Sequence, residues 1–296
     1  MIRIFLTLVI LVFTGCTMEN TKHIKELQKE ALDNSPHEGT VLKNIVYKST
    51  LFHDIKLDLY QPLNRVYKKA PIYIYIHGGS WLYGDKDLVN IYDKTVKKLR
   101  ESGVAVVSID YRMVSQSGIL AMVEDCNDAV IYLQNNADKY ELNAHYIGLH
   151  GHSAGANLAL VTGFTLSKIS DDIHFIVDEY GPTDVVDLLN NAKKRTIWSY
   201  LIPDRYLEAL SPLRMIHKDI PTVYIAHGNE DKTVPLEQSK KLYEAIKKQG
   251  LDVEFEIVEG ADHGYVGLDT TSLEKHRTKV LVYILDKFKE LDIIKP

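Results

Sequence analysis

The chain has 296 residues, of which 45% are hydrophobic, enough for a single α/β domain with a large core. Its 35 Lys and Arg against 40 Asp and Glu leave a formal charge of −5, which excludes the basic footprint that nucleic-acid binding requires. There are no repeats and no low-complexity runs.

The N-terminus has a basic start at Arg3, an apolar stretch from Ile4 to Phe13, and then Thr14-Gly15-Cys16. This stretch is too short to span a bilayer and fits the apolar region of an export signal. The block resembles a bacterial lipoprotein signal, which implies removal of residues 1–15, lipidation of Cys16 and anchoring in the cell envelope. Phe13 stands where such signals carry Leu, so plain secretion is the alternative. The polar residues 16–40 read as a tether with a helical stretch from Lys22 to Leu32. With Cys16 modified, only Cys126 remains, and no internal disulfide is expected. Cys126 lies on an apolar-patterned helix and reads as packing.

From Val41 onward, strand-like and helix-like segments alternate, the pattern of a mostly parallel sheet with helices on both faces. An antiparallel pair is expected near Asn44 to Lys48 and Ile55 to Tyr60. Strands follow at Ile72, Val104, Tyr146, Phe175, Val223 and Val253, eight in all. Helices are expected over Asp87 to Glu101, Leu120 to Lys139, Ala154 to Lys168, Leu236 to Gln249 and Ser272 to Leu291. The last has an apolar stripe of Leu273, Val280, Leu281, Ile284, Leu285 and Phe288. The segment 185–220 is a long insertion between strands and reads as a small lid.

Gly151-His152-Ser153-Ala154-Gly155 completes a G-x-S-x-G pattern between an apolar strand and a helix of small and apolar residues. A chain turning sharply from strand to helix strains its central residue and needs small neighbours. Ser153 then stands exposed as a nucleophile. A serine hydroxyl needs a base, and the base needs an orienting acid. Asp231, in Gly228-Asn229-Glu230-Asp231, and His263, in Gly260-Ala261-Asp262-His263-Gly264, both follow strand-like runs in the required order. Glu230 and Asp262 are the rival acids; Asp262 adjoins His263 too closely in sequence to reach its Nδ1. His77-Gly78-Gly79-Ser80-Trp81 follows the strand IYIYI, and its glycines let backbone amides turn toward a developing oxyanion. The expected donors are the N–H groups of Gly78, Gly79 and Ala154. The histidines show no recognised metal-ligand spacing, and neither a metal nor another cofactor is expected.

Together these residues resemble the α/β-hydrolase superfamily, from about Val41 to the C-terminus. Within it the chain is similar to feruloyl and acetylxylan esterases, esterases near hormone-sensitive lipase, and kynurenine formamidases. The resemblance extends to Asp110-Tyr111-Arg112, Glu124-Asp125 and Gly181-Pro182-Thr183-Asp184, and it implies a buried polar brace of Asp110, Arg112 and Asp125. Ser80 stands where the lipase-like pattern has a third glycine, and His152 where it has an acidic residue.

The resemblance implies a serine esterase acting through an acyl-enzyme on short-chain or aromatic esters, with small molecules or oligosaccharides as substrates. Trp81, Tyr83, Tyr111 and Tyr180 are candidate substrate contacts, with Tyr265 and Trp198 as further aromatics. An amidase or peptidase is the alternative, although the stretch between Cys16 and Val41 is too short for a prolyl-oligopeptidase propeller. A binding protein on a decayed hydrolase fold is a third reading.

Overall fold

The computed structural model describes residues 40–191 and 203–290. The expected signal, Cys16, all but the last residue of the tether, and Trp198 lie outside the described residues. Eight strands form one sheet: β1 (Val41–Ser49), β2 (Asp54–Tyr60), β3 (Ala70–Ile76), β4 (Ala105–Ile109), β5 (Leu142–His152), β6 (Ile173–Glu179), β7 (Thr222–Gly228) and β8 (Val253–Val258). Their order is β1-β2-β4-β3-β5-β6-β7-β8. β2 runs antiparallel to β1 and β4, and the remaining pairs are parallel. This is the α/β-hydrolase architecture expected from the sequence.

Five long helices cover the sheet: α1 (Asp93–Glu101), α2 (Ile119–Asn135), α3 (Ala154–Leu166), α4 (Glu237–Lys248) and α5 (Thr270–Glu290). Strand side chains alternate between faces, so each central strand feeds two cores. Ile72, Ile74 and Ile76 of β3 join residues of α2, α3 and α4 on one face. Tyr73 and Tyr75 join Val96 and Leu99 of α1 and Val280, Ile284 and Phe288 of α5 on the other. Every residue of β3 and β4 is buried, whereas the edge strands β1 and β8 alternate with solvent. That contrast is why the central strands read as unbroken apolar runs.

Three helix expectations need correction. Asp87 to Glu101 is not one helix: Lys86–Tyr92 winds as a 3₁₀ segment, started by the Asp85 carboxylate accepting from Asp87 N, before α1 begins. α2 stops at Asn135 rather than Lys139, because Asn136 turns the chain and its side chain donates to the Tyr132 carbonyl. The buried stripe of α5 is His276, Val280, Tyr283, Ile284 and Phe288, while Leu273, Leu281 and Leu285 are only half-buried.

The expected brace is also rearranged. The Arg112 guanidinium donates two hydrogen bonds of 2.7 Å to the buried Asp125 carboxylate, and Lys48 adds an ion pair at 2.8 Å. Removing one partner from such a pair leaves a charge buried, at a cost of about 3–5 kcal/mol. Asp110 takes no part: its carboxylate accepts from Lys86 N instead. Lys48, from β1, fills the place assigned to it.

The insertion after β6 contributes short helices at Val185–Asn191 and Asp204–Glu208. Both of its ends are tied to the scaffold. Thr183 N and Asp184 N donate to the Gln238 side chain of α4, and the Asn157 side chain of α3 donates to the carbonyls of Pro182 and Leu210.

Candidate active site

The chain passes from β3 to β4 on one side and then crosses to β5 on the other, which makes the C-terminal ends of β3 and β5 the switch point of the sheet. Ligand crevices form at such points. The glycine turn ends β3, and the G-x-S-x-G turn ends β5.

Ser153 alone separates β5 from α3, with φ 53 and ψ −121. A non-glycine residue held there costs about 1–3 kcal/mol. Two contacts maintain it. Ser153 N donates to the Glu179 carbonyl at 2.9 Å, tying the turn to β6. Gly155 lets α3 start against the end of β3: a Cβ there would lie 2.1 Å from the Ile76 carbonyl oxygen and 2.5 Å from that of His77.

The three residues expected to act together are brought together. Ser153 Oγ donates to His263 Nε2 at 2.9 Å, and His263 Nδ1 donates to Asp231 Oδ2 at 2.7 Å. Asp231 Oδ1 accepts from Thr233 N and Val234 N, both at 2.8 Å, which fixes the carboxylate and leaves Oδ2 for the imidazole. The rival acids face elsewhere. Glu230 is exposed, and Asp262 Oδ1 accepts from Lys232 N and His263 N, shaping the loop that presents the imidazole.

His227 is a member of this group that the sequence reading missed. It is fully buried, with Nε2 2.8 Å from the Val234 carbonyl and 3.2 Å from Asp231 Oδ2. Two acceptors at Nε2 place the proton there, so Nδ1 accepts from the Ser239 hydroxyl at 2.7 Å. In sequence His227 only ends an apolar strand, and nothing local marks its contact with Asp231.

Burial by itself raises the Asp231 carboxyl, but the hydrogen bonds it accepts from His227 and His263 outweigh it and hold the group well below the usual carboxylate range. The stabilisation this provides is complete above the ordinary aspartate value of about 3.9 and is lost as pH falls through the folded-state value.

The expected oxyanion donors also converge. A Cβ on Gly78 would stand 2.7 Å from the His152 carbonyl oxygen and 3.5 Å from Ser153 Cβ, so this glycine lies directly against the nucleophile turn. Gly79 has φ +123, and Ser80 and Trp81 continue in the left-handed region at 53 and 59. Among the described residues neither the Gly78 nor the Gly79 N–H donates to a carbonyl. Ala154 begins α3, where a first-turn N–H has no acceptor within the helix. His77 supports the turn from below. Burial lowers its pKa to about 4, and its ring stacks on Tyr111 at 4.4 Å.

The aromatic candidates differ in burial, and of the four only Tyr83 and Tyr111 line the open cleft beside the glycine turn. Trp81, Tyr111 and Tyr180 are each at most 6% exposed. Tyr111 donates to the His77 carbonyl and underpins the glycine turn. Tyr180 packs edge-on against His263 at 4.9 Å and holds the imidazole from behind, with Tyr265 packed edge-on against it in turn. Tyr83 is the exposed member, at 40%, and it lines an open cleft of about 410 Å³ with Asp85, Arg112 and Gln116 beside the glycine turn. Cys126 is buried and burial pushes its thiol up, consistent with packing.

Comparison with known proteins places this geometry in a lineage. An isoprenylcysteine alpha-carbonyl methylesterase described as probable, ICMEL1 of Oryza sativa subsp. japonica, is 27% identical over 70% of this chain and 54% of its own length. Esterase LipC of Mycobacterium tuberculosis is 26% identical over 72% of this chain and 57% of its own. The chain thus spans about half the length of the curated relatives it matches. Among solved structures, a truncated carbohydrate esterase from gut microbiota superposes with a TM-score of 0.68 at 24% identity, over 84% of this chain and 96% of that one, which shows a shared fold. The BD-FAE family model matches residues 57–246, more than half of the sequence and a span holding Ser153, the glycine turn and Asp231, and the chain belongs to that family.

Proposed function

We propose that the chain is a serine carboxylic-ester hydrolase working through a covalent acyl-enzyme. Ser153 Oγ attacks the ester carbonyl while His263 Nε2 takes its proton; the imidazolium then gives that proton to the leaving alcohol. Water repeats the sequence on the acyl-enzyme, with His263 again as base and the acid as product. Asp231 fixes the imidazole and stabilises its charged form. The N–H groups of Gly78, Gly79 and Ala154 receive the oxyanion. The observation that carries this reading is the unbroken hydrogen-bonded chain from Ser153 through His263 to Asp231 at the mouth of the sheet. The esterase names of its relatives support it as well.

A carbohydrate ester is the substrate class we favour, supported by the open cleft that follows the glycine turn. Its walls combine an exposed tyrosine with carboxylate, guanidinium and amide groups, which suits the alcohol portion of a carbohydrate ester better than a lipid. The expected result is that p-nitrophenyl acetate and butyrate turn over at least about tenfold faster than the octanoate, a difference of about 1.4 kcal/mol. Acetate or ferulate should also be released from substituted xylan fragments. Preference for octanoate would rule out the short-acyl reading; absence of release from the sugars would rule out the carbohydrate assignment alone. Comparable cleavage of p-nitroacetanilide would move the assignment to an amidase.

Export and lipid anchoring at Cys16 complete the proposal. They are supported by the apolar run and the Thr14-Gly15-Cys16 block. Labelled palmitate should enter the wild-type protein in a bacterial host and not Cys16→Ser. Equal labelling, or none in either, would remove the anchor.

A further inference from the structure

The nucleophile turn is backed, on the sheet face covered by α1 and α5, by a buried group of histidines and carboxylates that ester hydrolysis does not use. His150 and His152 sit two residues apart on β5, so their side chains share that face. The register pairs His152 directly with Glu179 of β6. His150 Nε2 lies 2.7 Å and His152 Nε2 3.0 Å from the same oxygen, Glu179 Oε1, and the three donor atoms fall within 4.8 Å of one another. All three side chains are at most 6% exposed.

We propose that His150, His152 and Glu179 bind one divalent transition-metal ion of the zinc class, seated behind the nucleophile turn.

The donor chemistry fits. Two imidazoles and a carboxylate are a recurrent three-ligand set for zinc, with the fourth position left to a small ligand. Donors around a tetrahedral ion with bonds of about 2.0–2.1 Å stand about 3.3 Å apart, so the two imidazole–carboxylate separations of 2.7 and 3.0 Å need to widen only slightly to admit an ion. His152 supplies the second, independent observation. Its Nε2 is near Glu179 but misaligned, and neither ring nitrogen makes a hydrogen bond, although the side chain is only 6% exposed. Burying an imidazole whose Nδ1 has no partner and whose Nε2 meets only a misaligned carboxylate oxygen forfeits hydration that this contact returns only in part.

The groups around the three donors complete the pattern of a metal centre. Metal-bound histidines usually engage their other ring nitrogen with a hydroxyl, carbonyl or carboxylate, and bound carboxylates are themselves hydrogen-bonded. His150 Nδ1 contacts the Tyr73 hydroxyl. The free oxygen of the carboxylate, Glu179 Oε2, accepts from His276 Nε2 at 3.0 Å, and His276 Nδ1 is held 3.2 Å from Glu256. Tyr92 stacks on the His152 ring at 4.4 Å and shields the site from solvent. The two-residue spacing of the histidines is silent in the sequence because the third donor arrives from the neighbouring strand. Such an ion would clamp β5 to β6 at the point where Ser153 N meets the Glu179 carbonyl.

The test is titration of EDTA-treated, dialysed full-length protein with Zn²⁺ by calorimetry and with Co²⁺ by visible absorption. One ion per chain is expected, with affinity reduced at least about 100-fold in His152→Asn and in Glu179→Gln. His174→Asn, half-buried at the end of β6 opposite Glu179, should bind like wild type. Absence of stoichiometric Zn²⁺ and Co²⁺ binding, or binding that persists in both variants, would overturn the proposal. X-ray absorption on the zinc-loaded wild type reads the ligands without any substitution, so a variant that fails to fold does not block the test. A shell containing two imidazoles and a carboxylate supports the site, and a shell with fewer than two imidazoles overturns it.

Discussion

Ser153→Ala is expected to lower kcat for a short-chain ester by about 10⁵- to 10⁶-fold while leaving folding intact. The hydroxyl is the only atom removed, and the strained backbone at φ 53 is held by the Glu179 carbonyl and by the packing of Gly155, neither of which involves the side chain. Because Ser153, His263 and Asp231 act as a unit, His263→Ala added to Ser153→Ala should cost almost nothing further. Asp231→Asn should lower kcat by roughly 10⁴-fold, since the amide presents the wrong hydrogen-bond partner to His263 Nδ1. The same variant should lose part of the acid-side dependence of stability, because the stabilisation from the depressed Asp231 carboxyl is complete above its unfolded value and falls away as pH drops from there toward the folded-state value. The measurements are steady-state kinetics on p-nitrophenyl acetate and melting curves from pH 3 to pH 7. Residual turnover within tenfold of wild type in Ser153→Ala would remove the acyl-enzyme.

The second large effect is on stability. Gly155→Val is expected to cost more than about 4 kcal/mol, placing it among the rare severe substitutions. The resulting fall in Tm is about 10 °C or more for a domain of this size. The obstructing atoms are backbone: the carbonyl oxygens of Ile76 and His77, which terminate the central strand and lead into the glycine turn. No rotamer change relieves that contact, so either α3 or β3 must move. Calorimetry or circular dichroism decides it, and a Tm within about 2 °C of wild type would show that helix and strand do not meet as closely as described. Unlike Ser153→Ala, this variant should lose activity and fold together.

Much of the site was readable along the chain because its parts sit at strand ends, where a residue type and its offset from an apolar run carry the information. Ser153, Asp231, His263 and the two glycines all have that local signature. His227 and His150 do not. Each ends or interrupts an apolar strand and acquires its role from a residue on another loop or strand, so nothing along the chain distinguishes either from a buried polar residue. The burial of Trp81 and Tyr180 was hidden for a related reason. Proximity to the motif was legible, but the direction of each ring depends on backbone conformations such as φ 48 at Tyr180 and φ 59 at Trp81, which turn the side chains into the protein. The strands were located well because central parallel strands are continuously apolar. The 3₁₀ segment before α1 was not, since its apolar positions Leu88 and Val89 fit an α-helical stripe as readily. Lys48 for Asp110 in the brace is a substitution of partner across the sheet, and no local pattern encodes it.

The anchoring at both ends of the insertion has an evolutionary consequence. Gln238 and Asn157 hold the two ends of that segment largely by hydrogen bonds to its backbone, with the Thr183 hydroxyl adding one to the Gln238 carbonyl. Lengthening a chain between fixed points is cheap, about 0.6 kcal/mol for each doubling. Val185, Val186 and Leu207 are buried in the main core, so the tolerance for altered length lies between these docked residues rather than at them. Changes in the length of this connection can therefore accumulate over time while the sheet, the nucleophile turn and the hydrogen bonds at its two ends stay as they are.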